Sequence, residues 1–173
     1  MSRYFTLISH HNPKRRNTFY EQTQRQSLTL SIGWGEVNPI GSTKARIKRN
    51  IEQQYNVAGL NITNGVYSLE VFSALTPGDI IFIRGNSAII DVAIVTGNPF
   101  YQYGSGHNGA NDYCTKVSFT PLFGSQRFAL AINEIPERYR KEFVFNDGRS
   151  RTMKQLNEAL AITLLKRISE NIV

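Results

Sequence analysis

One cysteine, Cys114, stands in 173 residues. It excludes an internal disulfide and a cysteine-based structural zinc site. Nothing argues for secretion, and the expected compartment is reducing and cytoplasmic. Only three histidines are present, His10, His11 and His107. They lack the clustered spacing of a zincin or a zinc deaminase, so no metal or other cofactor is expected. Long apolar runs are missing too. The longest are residues 80–83 and 88–95, the second interrupted by Asp91, and neither approaches the roughly 20 residues of a spanning helix. The first 17 residues are polar and basic, without the apolar stretch of a signal peptide. A membrane partner is therefore not expected.

The usual signatures of catalysis are absent as well. No acid is followed two positions later by lysine, as a metal-dependent nuclease signature requires, and there is no G-x-S-x-G, phosphate loop or dinucleotide fingerprint. His10-His11-Asn12 has a superficial likeness to a nuclease fragment, but adjacent histidines on a strand point to opposite faces. A Cys114/His107 nucleophile is the one arrangement left, and it rests on a single pair in a loop region. No catalytic residue is expected in this chain, which reads as a non-enzyme.

What is present is charge of one sign, unevenly placed. The net charge is +7. Residues 1–50 carry nine Lys/Arg against two acids, residues 51–137 three against seven, and residues 138–173 eight against four. An apolar, slightly acidic middle thus lies between basic flanks. Clustered cations gain free energy by releasing phosphate counterions, which points to a polyanion. A solvated basic surface without a partner would look the same.

At 40% hydrophobic residues the chain can bury a core as one domain. Strands are expected at residues 3–9, 27–34, 79–84, 88–96, 113–119 and 127–132. In the second, Leu28, Leu30 and Ile32 share a face. Residues 12–17 read as a basic turn. Residues 42–57 change to helical period, with Ile47, Ile51 and Tyr55 on one face and Ser42 as cap. A second helix is expected at 64–75 with a stripe of Tyr67, Val71 and Leu75. Gly85-Asn86-Ser87 reads as a hairpin turn, and Asn146-Asp147-Gly148 as another turn. Residues 152–171 give the clearest helical pattern. Thr152 and Gln155 stand at capping-box spacing, and Leu156, Leu160, Leu164 and Ile168 share a face. The expected division is a reader domain at residues 1–145. A C-terminal helical segment at 146–173 would dock on that domain or lead to another. Many short strands with early helices imply an α+β chain, a small curved sheet or barrel with helices packed outside.

Aromatic residues gather where such a barrel opens. Trp34, the only tryptophan, lies between Gly33 and Gly35 at a strand end, and Phe100, Tyr101 and Tyr103 follow another. Aromatic walls suit a flat base. From composition alone these side chains are either pocket walls or barrel core.

Two segments carry a resemblance: residues 31–36 (SIGWGE), and residues 76–85 (TPGDIIFIRG) with 88–97 (AIIDVAIVTG) and 100–103 (FYQY). Over residues 28–132 the chain resembles the EVE/YTH branch of PUA-like domains. It looks most like the N-terminal DNA-binding domains of McrB-type modification-dependent restriction proteins. His107 before the 117–119 strand fits the same pattern. Asp91 departs from it, standing where the family usually has a small residue. So does CTKV at 114–117, which lacks a basic pair.

The resemblance implies a PUA-like β-barrel that flips a modified base, methylated or hydroxymethylated, into an aromatic cage. Carried over, Trp34 is one cage wall and Tyr101 or Tyr103 another, with Phe100 beside them. Backbone around Ser31, and a polar side chain such as Asp91, would read the base edge. Lys14, Arg15 and Arg16, with Lys44, Arg46, Lys48 and Arg49, would hold phosphates. The expected partner is nucleic acid, DNA favoured over RNA, together with NTPase and nuclease subunits or domains of a restriction complex. An RNA reader of N6-methyladenosine-type marks and a non-catalytic protein-interaction domain are the alternatives.

Overall fold

The computed structural model describes residues 1–57, 62–144 and 149–172. Its eight strands are β1 (Tyr4–Ile8), β2 (Thr29–Ile32), β3 (Ile80–Arg84), β4 (Ala88–Val95), β5 (Phe100–Tyr101), β6 (Thr115–Pro121), β7 (Leu130–Ala131) and β8 (Met153–Leu156). The helices are α1 (Arg16–Phe19), α2 (Arg25–Ser27), α3 (Lys44–Tyr55), α4 (Thr63–Ser73), α5 (Glu137–Arg140) and α6 (Glu158–Asn171). All strands join one mixed sheet in the order β2-β6-β4-β3-β1-β8, with β5 on β6 and β7 on β4. β1 and β3 are parallel, and every other pair is antiparallel. The architecture is α+β, a curled half-barrel with helices outside. β2 and β8 form its open edges.

Both faces of the sheet are covered, which explains why β3 and β4 read as nearly unbroken apolar runs. Side chains alternate between two cores. Phe5, Leu7, Ile81, Ile83, Ile90 and Ala93 enter one, which α3 and α4 close through Ile47, Ile51, Val66, Leu69 and Phe72. Phe82, Ile89 and Val92 enter the other, which α6 closes through Leu160, Ala161, Leu164 and Ile168. Each of the larger side chains among them contributes about 1.5–3 kcal/mol when fully buried.

Several local expectations are corrected. The basic turn at 12–17 is a 3₁₀ turn (Pro13–Arg15), and a helical stretch unseen in the sequence follows it: α1, a π-turn (Tyr20–Gln24) and α2. Leu28 does not join the face of Leu30 and Ile32. It ends that stretch in a left-handed conformation, φ 51°, and is exposed. Thr43, not Ser42, caps α3, accepting from the Arg46 N–H.

The buried stripe of α4 is Val66, Leu69 and Phe72, while Tyr67 and Val71 are half-buried. The last helix begins at Glu158, capped by Asn157. Residues 153–156 are strand instead, because β1 offers an edge for Met153 and Leu156 to pair along. Met153 then reaches the first core and Leu156 the second, as alternation requires. The turn at 146–148 lies outside the described residues. Among the described residues no helix is long and apolar enough to cross a membrane.

Candidate functional site

A cavity of about 370 Å³ opens where the ends of β1 and β2 meet the start of α4 and the loop before β6. Its volume is at the lower end of the range for small-ligand sites. Trp34, His11 and Tyr113 supply aromatic walls, Ile8 and Ile32 an apolar floor, and Asn64, Asp112, Arg149 and Thr152 polar groups.

Local chemistry sets the position of Trp34. The residue itself takes the positive φ, 64°, that its neighbours would more easily adopt. Gly35 is needed for space: a Cβ there would stand 2.3 Å from the Asn111 carbonyl oxygen and 2.6 Å from Asp112 Cα. Gly65, in the first turn of α4, has the same role under the indole. A Cβ at Gly65 would lie 2.6 Å from Trp34 Nε1 and 2.8 Å from Cε2. The Trp34 ring therefore rests directly on the α4 backbone, and Tyr55 meets it edge-on at 4.9 Å between centroids. Tyr55 also accepts the Glu36 N–H at 3.0 Å, which ties α3 to the Trp34 turn.

The facing wall is a stack of rings. β1 ends at Ile8, so strand alternation no longer governs His10 and His11. Their rings stack at 4.2 Å instead of pointing apart. Tyr113 lies parallel to His10 at 5.4 Å, and Phe19 packs against both. The Tyr113 hydroxyl accepts the His11 backbone N–H at 2.9 Å and lies 2.9 Å from His11 Nδ1. Burial pushes the Tyr113 phenol up to about 12, so it stays protonated at neutral pH. Asp112 Oδ1 accepts the Tyr113 N–H, and Asp112 Oδ2 accepts from Asn108. Asn64 donates to Thr152 Oγ1 at 3.0 Å, joining α4 to the residue before β8.

Of the expected base-binding residues, Trp34 alone lines this cavity. Ser31 is fully buried, its hydroxyl held by Gln24 at 3.1 Å and by His107 Nδ1 at 2.8 Å. Asp91 is 0% exposed. It accepts from the Tyr20 hydroxyl at 2.6 Å, Arg25 Nε at 3.1 Å and Arg127 at 3.2 Å. It therefore ties the π-turn to β4 and to the chain after β6, and presents no free edge to a base.

Phe100 and Tyr101 pair with Lys116 and Thr115, so β6 separates them from β2. Tyr101 is a brace, donating its hydroxyl to the Gly35 carbonyl at 2.6 Å. Tyr103 is 56% exposed. His11, Tyr113, Asn64 and Asp112 were missed as a set, since the fold brings them together from distant segments. The isolated signal in the sequence was the aromatic character of His10-His11.

The expected phosphate ligands divide the same way. Lys14 and Arg15 are exposed on the 3₁₀ turn just after His11. Arg16 is 4% exposed and donates Nε to the His10 carbonyl at 2.9 Å, so it supports the wall from inside. Lys44, Arg46, Lys48 and Arg49 are exposed along α3. Lys44 and Lys48 flank Ile62 and Thr63, immediately before the cavity residues Asn64 and Gly65.

The Cys114/His107 pair is not arranged as a nucleophile. Cys114 is buried, donates its thiol to the Ala110 carbonyl, and has its pKa raised by burial. His107 is held down to about 4, first by burial and then by Lys116.

A family model described as a domain of unknown function (DUF8426) matches residues 8–117, more than half of the chain. The chain belongs to this family. The DUF8426 match runs from the last residue of β1 into β6, and so takes in every cavity residue except Arg149 and Thr152. No curated protein matches. Among solved structures, the chain is similar to the YTH domain of Zygosaccharomyces rouxii MRB1 protein in complex with N6-methyladenosine RNA. The TM-score is 0.48 and the identity 13%, over 96% of this chain and 86% of that one. It is also similar to Rpa0253 from Rhodopseudomonas palustris, with a TM-score of 0.47 and 10% identity over 97% and 94% of the two chains. At these scores the likeness carries nothing about function.

Proposed function

We propose that this DUF8426 chain is a nucleic-acid-binding module that receives one flipped-out base in the Trp34 cavity. The observation that carries the reading is the cavity itself. An indole fixed on Gly65 faces a wall built from His11 and Tyr113, and an amide, a carboxylate and a hydroxyl lie within one base-sized space. Stacking on such walls is worth about 1–3 kcal/mol per base, which offsets the few kcal/mol of unstacking. The Asn64 amide offers both a donor and an acceptor, and Asp112 accepts, so the edge of a base can be told from that of another. Lys14 and Arg15 beside His11, and Lys44 and Lys48 beside the start of α4, would hold the backbone. They supply affinity without sequence information.

The finer reading is that the base is methylated or hydroxymethylated, that the polymer is DNA, and that the module serves a modification-dependent restriction system. Its support is the McrB-type sequence resemblance alone. Under it, cutting belongs to a partner subunit or another domain. The test is binding to duplexes carrying 5-methylcytosine, 5-hydroxymethylcytosine or N6-methyladenine, to matched unmodified duplexes, and to the corresponding RNAs, at two salt concentrations. One mark on one polymer is expected to bind more tightly, with Trp34→Ala removing that preference but not the salt-dependent background. Equal affinity for every oligonucleotide would leave the cavity without a base and remove the reading.

A further inference from the structure

A second concavity lies away from the Trp34 cavity and shares no lining residue with it. It measures about 400 Å³ and is lined by Arg84, Ser87, Ala131, Ile132, Asn133 and Arg140. Its walls are the β3–β4 hairpin, the 3₁₀ turn Ile132–Glu134 and α5.

Arg84 is the unusual group. It is 6% exposed, ends β3, and donates Nη1 to the Phe143 carbonyl at 2.7 Å. Its Nε is buried and has no hydrogen-bond partner. Among the described residues no carboxylate comes within ion-pair distance of it. Burial, and then the charge of Arg16, lower its pKa to about 10, so it remains a cation at neutral pH without a counter-charge. Burying a cation without a counter-charge is unfavourable, and an orphaned buried donor calls for an explanation.

Arg140 approaches from α5. Its Nε donates to the Ile135 carbonyl at 3.2 Å and its Nη2 to the Asn133 carbonyl at 3.0 Å. Both guanidinium groups are thus oriented by backbone carbonyls and left with spare donors. The Ser87 hydroxyl and the Asn133 amide add neutral donors at the rim.

We propose that this cleft is a phosphate-binding site, in which Arg84 and Arg140 grip one phosphoryl group. Its charge completes the missing pair, and its several oxygens match more of the spare donors lining the cleft than a carboxylate could. The phosphoryl group belongs either to a nucleic-acid backbone or to a small phosphorylated ligand. The site stands whether or not the Trp34 cavity holds a base.

The test follows the arginine Nε–H resonances of the whole chain while sodium phosphate is added, with sodium chloride at matched ionic strength as control. A saturating shift of the Arg84 resonance with phosphate only is expected. Arg140→Gln should weaken it roughly tenfold, the loss of a charge-assisted contact. In Arg84→Lys, which keeps the charge but not the fork, the Arg140 Nε–H resonance should report a similarly weakened phosphate dependence. A shift that does not saturate, that chloride reproduces, or that Arg140→Gln leaves unchanged would overturn the proposal. Competition by an unmodified oligonucleotide assigns the phosphate to a polymer backbone. Competition only by a mononucleotide assigns it to a small ligand.

Discussion

Adding one methyl group at Gly65 tests the geometry of the cavity most directly. In Gly65→Ala the new Cβ would meet Trp34 Nε1, Cε2 and Cζ2 at 2.6, 2.8 and 2.9 Å. Ordinary carbon contacts lie near ~3.5–4.0 Å, so the indole must retreat by about 1 Å. It has little freedom to do so. Its backbone is fixed at a positive φ, Gly35 is pressed against the 111–112 backbone, and Tyr55 holds its edge.

Overpacking of this kind costs about 1–3 kcal/mol. Replacing a helical glycine by alanine returns at most ~1 kcal/mol, and less near a helix start. The net expectation is a loss of about 1 kcal/mol, or a melting temperature lower by roughly 2–4 °C at this chain length. Because Trp34 is the only tryptophan, emission excited selectively at tryptophan, beyond tyrosine absorption, reports on this wall alone. The emission maximum should move, and urea unfolding followed at the same wavelength gives the stability change. Discrimination among bases should fall by roughly tenfold, the loss of about one stacking contact. A variant that is more stable by the full helix gain and keeps the wild-type emission would show that the indole does not rest on α4.

Asp91→Asn should cost about 1–3 kcal/mol in urea unfolding, because the buried Tyr20 hydroxyl and the half-buried Arg25 lose a charged acceptor while Arg127 keeps its pair with Glu21; no measurable change would contradict the role given to Asp91. His107 has its folded pKa depressed to about 4 from the ordinary 6.5. Its contribution is therefore present above pH 6.5 and is lost as pH falls through 4, on the order of 2–3 kcal/mol. His107→Gln should flatten the stability difference between pH 7 and pH 4.5, and an unchanged slope would place the titration elsewhere. Cys114 should react with a thiol reagent only at the rate of opening, since it is buried with its pKa raised; fast stoichiometric labelling of the folded chain would refute its placement.

Residues close in sequence made much of the fold legible. The β3–β4 hairpin shows in two apolar runs around Gly85-Asn86-Ser87, because both strands are buried on both faces and the turn is local. Ile47 and Ile51 announce α3 by spacing. The helical stretch after Arg15 was hidden because a π-turn breaks the 3.6-residue period just where Tyr20 and Gln24 turn inward. At 153–156, Leu156 kept helical spacing with Leu160, yet that segment pairs with β1 at the far end of the chain. No local pattern contains that competition.

Trp34, which lines the cavity, stood out in the sequence because one tryptophan between two glycines is a local oddity. Its partners did not. Tyr113 and His11 are 102 positions apart, and Gly65 meets Trp34 only once α4 crosses the open end of β2. Arg84 read as the end of an apolar strand and Arg16 as one more surface cation, and both are buried. The sequence by itself determined the class of fold, the basic flanks and the tryptophan turn, since these follow from composition and short-range periodicity. Only the tertiary structure decided which rings face Trp34 and which cations are left without a counter-charge. Those depend on contacts between segments that the sheet order brings together, and on which side of each strand its edge happens to meet.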